Sequence, residues 1–240
     1  MTWDGEGMIT LAVDTSGPVC GVAVVRDHTV LFEQMAQNRM THSVNLMPMI
    51  DTALAFSEIT LRDVDRIGCV VGPGSFTGVR IGVSTAKGLS HGSGKPCVAV
   101  NALEAMAAGV DWFNGIVCPI QDARAGQVYG AAFQPGLLPQ RLMEDQPIAL
   151  SDYLRNLSLM GSRFLFMGDG MPVHRDAIRE ELGEAAIFAP PHLAFLRPSS
   201  VAVIASHAEK TLSYTELMPL YLRAPSAERN RKLVEAAHGT

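Results

Sequence analysis

One glycine-rich run constrains the fold of this chain more than any other stretch of its sequence. Residues 69–82 read CVVGPGSFTGVRIG, so the run joins an apolar segment typical of a buried strand to a segment typical of a helix. Three of its glycines lack a Cβ and accept a positive φ: Gly72, Gly74 and Gly78. Pro73 fixes one backbone angle, and Ser75 or Thr77 can cap a following helix. The run therefore predicts a strand, a tight turn and a helix N-terminus.

The predicted turn has two interpretations that the residues alone leave open. A helix N-terminus presents free N–H groups and the positive end of the helix dipole, which favour an anion or a partner's carbonyl group. The run lacks the Gly-Lys-Ser/Thr of a phosphate-binding loop, and its glycines are not spaced as in the G-x-G-x-x-G dinucleotide fingerprint. In the other interpretation, the glycines only let a helix pack closely on a sheet.

Length and charge limit the classes of protein to consider. The 240 residues are 48% hydrophobic and 18% charged, which is enough for a proper core and compatible with two modest domains. The formal net charge of −5 does not favour nucleic acid, so such a contact would need a local basic patch or another subunit. A small basic cluster at residues 228–232 is typical of a solvated terminus.

Cysteine spacing and hydropathy indicate the compartment. The four cysteines are scattered in apolar contexts without a C-x-x-C pair, which predicts buried reduced thiols: Cys20, Cys69, Cys97 and Cys118. Residues 1–7 lack the basic and apolar regions of a signal peptide. No stretch reaches the roughly 18 apolar residues that a membrane span requires. We therefore expect a cytoplasmic protein with no membrane contact.

Apolar periodicity predicts a mixed α/β architecture. In the first half, strands are expected over residues 8–13, 20–25, 30–34, 66–71 and 96–100, and helices over 43–56 and 79–89. This order, β-β-β-α-β-α-β-α, implies a mixed sheet with helices on both faces. In the second half, strands are expected over residues 115–120, 127–133 and 164–167, and helices over 151–157 and 199–211.

The repeated pattern predicts two similar lobes, each with a mixed sheet flanked by helices. The division falls near residues 107–113, where a helix ends before a new strand begins. The N-terminal lobe, residues 1–108, would carry the glycine turn and bind a partner. The C-terminal lobe, residues 109–240, would carry a C-terminal helix and tail.

Several motifs, taken in order, resemble those of one family. They are Asp14-Thr15-Ser16, Thr41-His42-Ser43, the run at residues 72–82, Ala86-Lys87-Gly88-Leu89 and the late PLYLRAP at residues 219–225. The chain resembles the TsaB family of bacterial tRNA threonylcarbamoyladenosine biosynthesis proteins over nearly its whole length, most weakly over residues 134–194. The resemblance implies the duplicated actin-like ATPase and sugar-kinase fold, which is ribonuclease H-like and agrees with the strand order above.

The resemblance also implies a function. Members of the family are noncatalytic subunits that bind the enzyme TsaD, together with the ATPase TsaE. They are required for transfer of threonylcarbamoyl to the adenosine next to the anticodon of certain tRNAs. The resemblance further implies a homodimer when TsaD is absent, contact with tRNA only through the complex, and ATP or ADP at the complex interface. No cofactor is expected to be required by this subunit itself.

One departure from TsaD concerns its metal. TsaD carries two metal-binding histidines, four residues apart, in a segment similar to residues 100–106 here. The matching positions are Ala102 and Met106. A methyl group and a thioether offer no hard-metal site on that helix face. We therefore expect no metal site and no catalytic residues.

A methionine-rich helix is the predicted partner surface. Methionine suits adaptable interfaces, although ordinary core packing is the alternative for the same residues. The predicted partner-binding residues are Met40, His42, Leu46, Met47, Ile50 and Leu54.

Candidate nucleotide or anion contacts are Asp14, Gly72, Gly74, Ser75 and Asp169. Asp14 follows the first strand, where a carboxylate suits Mg²⁺, and Asp169 follows a strand in the second half at a loosely comparable position. For each acid, a role in a turn or helix cap is favoured over a nucleotide contact.

Two other classes of protein remain open. An autonomous nucleotide-dependent kinase or carbamoyltransferase of the same fold would use Asp14, Asp169 and the Gly72 turn, although the loss of the histidine pair argues against it. A protease lacks support, because Ser75 does not stand in a G-x-S-x-G elbow and no nucleophile is paired with a base.

Overall fold

Two five-stranded sheets form the frame of the computed structural model, which describes residues 7–38 and 40–223. The elements of the first half are β1 (Ile9–Asp14), β2 (Cys20–Arg26), β3 (Thr29–Ala36), α1 (His42–Phe56), β4 (Arg66–Gly72), α2 (Phe76–Ser93), β5 (Cys97–Asn101) and α3 (Ala102–Ala108). Those of the second half are β6 (Ile116–Asp122), β7 (Gln127–Gln134), β8 (Gln140–Ala149), α4 (Leu150–Ser158), β9 (Phe164–Met167), α5 (Gly170–Leu182), β10 (Ala186–Phe188) and α6 (Pro198–His207).

The two sheets share one topology. The first has the strand order β3-β2-β1-β4-β5, and the second has β8-β7-β6-β9-β10. In each sheet the first three strands of the half are antiparallel, and the next two join in parallel. Each half therefore follows the order β-β-β-α-β-α-β-α, and the predicted duplicated α/β fold is confirmed.

Helices cover both sheets and also separate them. Helices α1 and α2 pack on the outer face of the first sheet, and α4 and α5 pack on the outer face of the second. Helices α3 and α6 lie between the sheets, in a core that contains side chains from both halves. Every residue of β1 is buried, because helices cover both faces of this central strand. All four cysteines are buried and unbonded to one another, as predicted.

The structure adds two strands and one α-helix that the sequence did not predict, all of them in the second half. Strand β8 is an edge strand with few buried positions, and β10 has only three residues, so neither shows a strong apolar run. Helix α5 buries few of its residues. Helix α6 ends at His207 rather than at residue 211, because Leu212 forms an antiparallel bridge with Cys97 of the first sheet.

The division into lobes at residue 108 stays a prediction. The two sheets lie on either side of it along the chain. Helix α6 nevertheless contacts β1, β2 and β4 of the first sheet. A helix from the second half of the chain therefore packs on the sheet of the first half.

Candidate functional site

A cleft of about 560 Å³ lies between the two halves, at the carboxyl ends of their central strands. In sheets with parallel strands, ligands bind in crevices at this edge. The lining comes from the turn after β1, the glycine turn before α2, the end of β6, the start of α5 and a late segment of the chain: Ser16, Gly17, Pro18, Pro73, Gly74, Ser75, Phe76, Thr77, Gln121, Asp122, Ala123, Arg124, Tyr129, Asp169, Leu220, Tyr221, Leu222 and Arg223.

The glycine turn is pressed against the turn that follows β1. A Cβ on Gly74 would lie 2.3 Å from the carbonyl oxygen of Ser16, and the N–H of Ser75 donates to that same oxygen at 2.7 Å. A Cβ on Gly78 would lie 2.1 Å from the carbonyl oxygen of Thr15. Real side chains never approach a backbone so closely. The glycines thus permit close packing of α2 on the sheet, while Gly74 and Ser75 also face the cleft.

The sequence also predicted a contact at Gly72 and a cap for the helix that follows the glycine turn. Gly72 has a φ of 127°, and a Cβ there would lie 2.5 Å from the carbonyl oxygen of Leu220, so it packs against the late chain segment and does not line the cleft. Ser75 caps α2, because its Oγ accepts from the N–H of Gly78 at 3.2 Å. Of the two predicted cap residues, Ser75 and Thr77, the structure confirms Ser75.

Asp14 holds the turn after β1. Its side chain is only 3% exposed, and its Oδ1 accepts from the N–H of Ser16 at 2.8 Å. Burial raises the pKa of this carboxyl, and the hydrogen bonds from Ser16 oppose that shift. This geometry is that of an Asx turn, in which the side chain mimics a backbone turn.

The duplication corrects the position that we assigned to Asp169. Asp14 ends β1, and its counterpart at the end of β6 is Asp122. Asp169 instead follows β9, as Pro73 follows β4, and stands at the N-terminus of α5. The sequence held the signal, because IVCPIQD parallels ITLAVD, but we expected the strand to end at residue 120.

Asp169 faces the cleft as a partly buried acid. Its Oδ1 has no hydrogen-bond partner among the described residues. Burial raises the pKa of its carboxyl to about 6, and the neighbouring carboxylate of Asp122 adds to the rise. Asp122 lies 3.6 Å from Nε2 of His174 on α5. The wall formed by the second half therefore carries two carboxylates, and the lining beside them also includes Arg124.

Several cleft residues had no role in the sequence interpretation. Gln121 is 2% exposed, and neither atom of its amide has a hydrogen-bond partner within the described parts of the chain. Arg223 donates from Nη1 to the carbonyl oxygen of Ala123 at 3.1 Å, which ties the late segment to the second half. The hydroxyl of Tyr221 accepts from Nε of Arg80 at 2.8 Å. Residues 220–223 of the late PLYLRAP motif thus contribute one wall of the cleft, and the last two residues of the motif lie outside the described residues.

The predicted partner-binding residues divide into buried and exposed sets. Leu46 and Ile50 are each 1% exposed and pack in the core under α1, so they cannot offer a surface in this conformation. Leu54 is partly buried against the same core. Met40 and Met47 are 54% and 44% exposed. The burial of Leu46 and Ile50 contradicts their assignment as surface contacts, and partner binding by the exposed residues stays a prediction.

His42 lies between α1 and the cleft. It is the first residue of α1 and only partly exposed, and its Nε2 lies 2.9 Å from the carbonyl oxygen of Gly17. Gly17 belongs to the cleft lining. The histidine therefore joins the N-terminus of α1 to the turn after β1.

The two positions that match the TsaD histidines lie in the apolar core. Ala102 and Met106 belong to α3 and are buried between the two sheets. Among residues 7–38 and 40–223, no group of three or more His, Cys, Asp or Glu side chains is arranged to hold a metal ion. None of the helices in these ranges is long and apolar enough to cross a membrane.

These features define the class of the protein: a duplicated α/β protein of the actin-like ATPase and sugar-kinase fold, with a cleft between its two sheets. The family model of TsaD, tRNA N6-adenosine threonylcarbamoyltransferase, matches residues 34–231. The chain is 37% identical over 223 residues to the Bacillus subtilis "tRNA threonylcarbamoyladenosine biosynthesis protein TsaB", covering 92% of this chain and 96% of the relative.

Further comparisons agree. The protein of the same name from Haemophilus influenzae is 30% identical over 235 residues, covering 91% of this chain and 94% of the relative. The structure of YeaZ from Pseudomonas aeruginosa superposes with a TM-score of 0.74 at 22% identity, over 90% of this chain and all of that chain, and supports the fold. The chain belongs to the TsaB family, whose members are named for the biosynthesis of threonylcarbamoyladenosine in tRNA.

Proposed function

We propose that this chain is a noncatalytic subunit that binds a TsaD enzyme and is required for that enzyme to transfer threonylcarbamoyl to tRNA. Membership of the TsaB family supports a role in the biosynthesis of threonylcarbamoyladenosine in tRNA. The exposed apolar side of α1 supports the binding role. The same surface would serve a homodimer when TsaD is absent. TsaE would join the assembly, and tRNA would contact the subunit only through the complex, in the cytoplasm.

The observation that carries the proposal is the outer face of α1. Val44 and Met47 are three residues apart in α1, which places them on one side of the helix, and Met40 lies just before its N-cap. All three are about half exposed, while the opposite side of α1 packs in the core. Flexible methionine side chains adapt to a partner's surface, and apolar groups exposed in a row are typical of interaction sites.

The described cleft offers little for catalysis by the subunit alone. Ser75 faces it, but its Oγ is engaged in capping α2. The four thiols are buried, and burial raises the pKa of each of them, so none is an activated nucleophile. These observations support a noncatalytic role and give a protease no basis.

A kinase or carbamoyltransferase of the same fold is the second candidate. The placement of Asp122 and Asp169 in the cleft, opposite the N-terminus of α2, favours it. ATP turnover by the purified chain, without TsaD, would support this second candidate over the first.

The binding role is tested by replacing Met47 with a charged residue. We expect Met47→Asp to reduce co-purification with TsaD strongly, because truncating a central interface residue typically costs about 2 kcal/mol and a buried charge costs more. The matched control is Val173→Asp, since Val173 is an exposed apolar residue on α5 in the other half. Both variants should keep the wild-type melting temperature. Wild-type affinity of Met47→Asp, or an equal loss in Val173→Asp, would contradict the assignment of the α1 face.

A further inference from the structure

Exposed apolar side chains gather at the end of the second sheet that lies opposite the cleft. Three loops meet at this end: residues 109–115 before β6, residues 135–139 between β7 and β8, and residues 159–163 before β9. The cleft lies at the other ends of β6 and β9. We call the exposed large apolar residues of the three loops, which are between 40% and 85% exposed, the distal patch: Trp112, Leu137, Leu138, Leu159 and Met160.

Strand pairing holds the three loops side by side. In the second sheet, β8, β7, β6 and β9 are consecutive neighbours. Ile116 at the start of β6 pairs with Phe164 at the start of β9, and its N–H donates to the carbonyl oxygen of Arg163 at 2.9 Å. Paired strands lie about 4.8 Å apart, so the loops at the ends of four strands span roughly 15 Å. The distal patch is therefore one surface rather than a set of scattered residues.

Two residues of this surface are held in place by a buried ring. The ring of Trp112 packs edge-on against Phe113, with 6.4 Å between the ring centroids, and the Arg163 guanidinium lies 5.6 Å from the Phe113 centroid. Phe113 itself is 7% exposed and belongs to the core between the sheets. Tryptophan and arginine are enriched among the residues that contribute most to protein interfaces. Side chains that are already positioned lose less entropy when a partner binds.

The charges around the distal patch favour a second copy of the chain as its partner. Within the three loops, only Asp111 and Arg163 are charged, and both are exposed. Neither forms an ion pair with another residue of the described ranges. One acid and one base give no cationic surface for RNA or for anionic lipid. In a two-fold symmetric contact, however, each residue meets a different residue of the other copy, so Asp111 can pair with Arg163 twice.

We infer that the distal patch binds a second copy of this chain in a two-fold symmetric contact, with Asp111 of each copy paired with Arg163 of the other. Contiguous exposed apolar surface of this kind is typical of interaction sites. The patch lies in the second half of the chain and α1 in the first, so this contact leaves the outer side of α1 free. The inference goes beyond the proposed binding of TsaD and does not depend on it.

Sedimentation velocity of the full chain tests the inference in a Met47→Asp background, which removes the outer side of α1 as a second contact between copies. We expect a dimer whose fraction rises with concentration. Leu159→Lys, at a position that is 85% exposed, should weaken dimerisation at least about tenfold without lowering the melting temperature. The matched control is Val173→Lys, an exposed apolar residue of α5 outside the three loops, which should dimerise as the parent does.

Exchanging the two charges tests their pairing between copies. Asp111→Arg alone sets arginine against arginine across the two-fold axis, and Arg163→Asp alone sets aspartate against aspartate. Each variant should therefore dimerise at least about tenfold more weakly than the parent. An equimolar mixture of the two variants places arginine against aspartate at both contacts and should restore the dimer. Mixing would not restore an ion pair formed within one chain.

Two results would overturn the inference. If the Met47→Asp chain remains a monomer at about 100 μM, the distal patch does not bind a second copy. If the mixed charge variants dimerise no better than each variant alone, Asp111 and Arg163 do not meet across a two-fold axis. Neither result bears on the proposed function, because its test measures co-purification with TsaD, which Leu159→Lys should leave unchanged in a chain with Met47 intact.

Discussion

Gly78→Ala is expected to destabilise the protein even though alanine is the better helix former. Gly78 is the third residue of α2, and a Cβ there would lie 2.1 Å from the carbonyl oxygen of Thr15. The hydroxyl of Thr15 also donates to the carbonyl oxygen of Gly78 at 2.7 Å, so the two backbones are bound together. Relieving the overlap requires a backbone shift, which costs about 1 to 3 kcal/mol in a packed site. Weakening the buried hydrogen bond adds about 1 kcal/mol.

The same helix provides the matched control. Gly88 is exposed, and a Cβ there would meet nothing within 4 Å. Gly88→Ala should therefore stabilise the protein by up to about 1 kcal/mol, the ordinary gain in helix propensity. That gain also offsets part of the cost at Gly78, leaving a net loss of about 1 to 3 kcal/mol there. Urea unfolding of both variants measures the difference. If Gly78→Ala is as stable as Gly88→Ala, the close approach of α2 to the turn after β1 is wrong.

Three further predictions address the partner helix, the cleft and the metal. Ile50→Ala should lose about 2 to 5 kcal/mol of unfolding free energy, and Met47→Ala should change it by less than about 0.5 kcal/mol, because only Ile50 is buried; urea unfolding that gives equal losses would contradict the placement of α1. Because the pKa of Asp169 is raised from 3.8 to about 6, the folded state binds its proton more tightly and stability falls as the pH rises through this window. Asp169→Asn should therefore be more stable than wild type above pH 6, and the difference should disappear below pH 3.8. Thermal melts that show the same difference at every pH would refute the raised pKa of Asp169 as its cause. The purified chain should retain no stoichiometric zinc or iron after gel filtration. One equivalent of either metal, found by elemental analysis, would contradict the prediction that Ala102 and Met106 leave this chain without a metal site.

Local sequence signals predicted the first half of the chain well. Strands β1, β2 and β4 are nearly continuous apolar runs because both of their faces are covered, and such runs are visible without knowledge of the fold. The glycine turn marked the start of α2 within a few residues. Strand β8 shows no continuous apolar run, because it is an edge strand and keeps polar residues on its open side. Its position was therefore not predicted.

The candidate site was harder to predict, since its parts are distant in sequence. Gln121 had no distinguishing local sequence signal, because its burial without a hydrogen-bond partner in the described residues becomes visible only in the packed structure. On α1, the apolar pattern showed which residues were hydrophobic but did not separate Ile50, which faces the sheet, from Met47, which faces outward. That distinction depends on which side of the helix the sheet occupies.

The central claim is that this chain supports a TsaD enzyme without being the catalyst. The most direct test is threonylcarbamoyl transfer to tRNA in a reconstituted assay that contains TsaD, TsaE and threonylcarbamoyl-adenylate, with this chain added or withheld. We predict transfer only when the chain and TsaD are both present, and none with the chain alone. Equal transfer without the chain, or transfer by the chain in the absence of TsaD, would contradict the account.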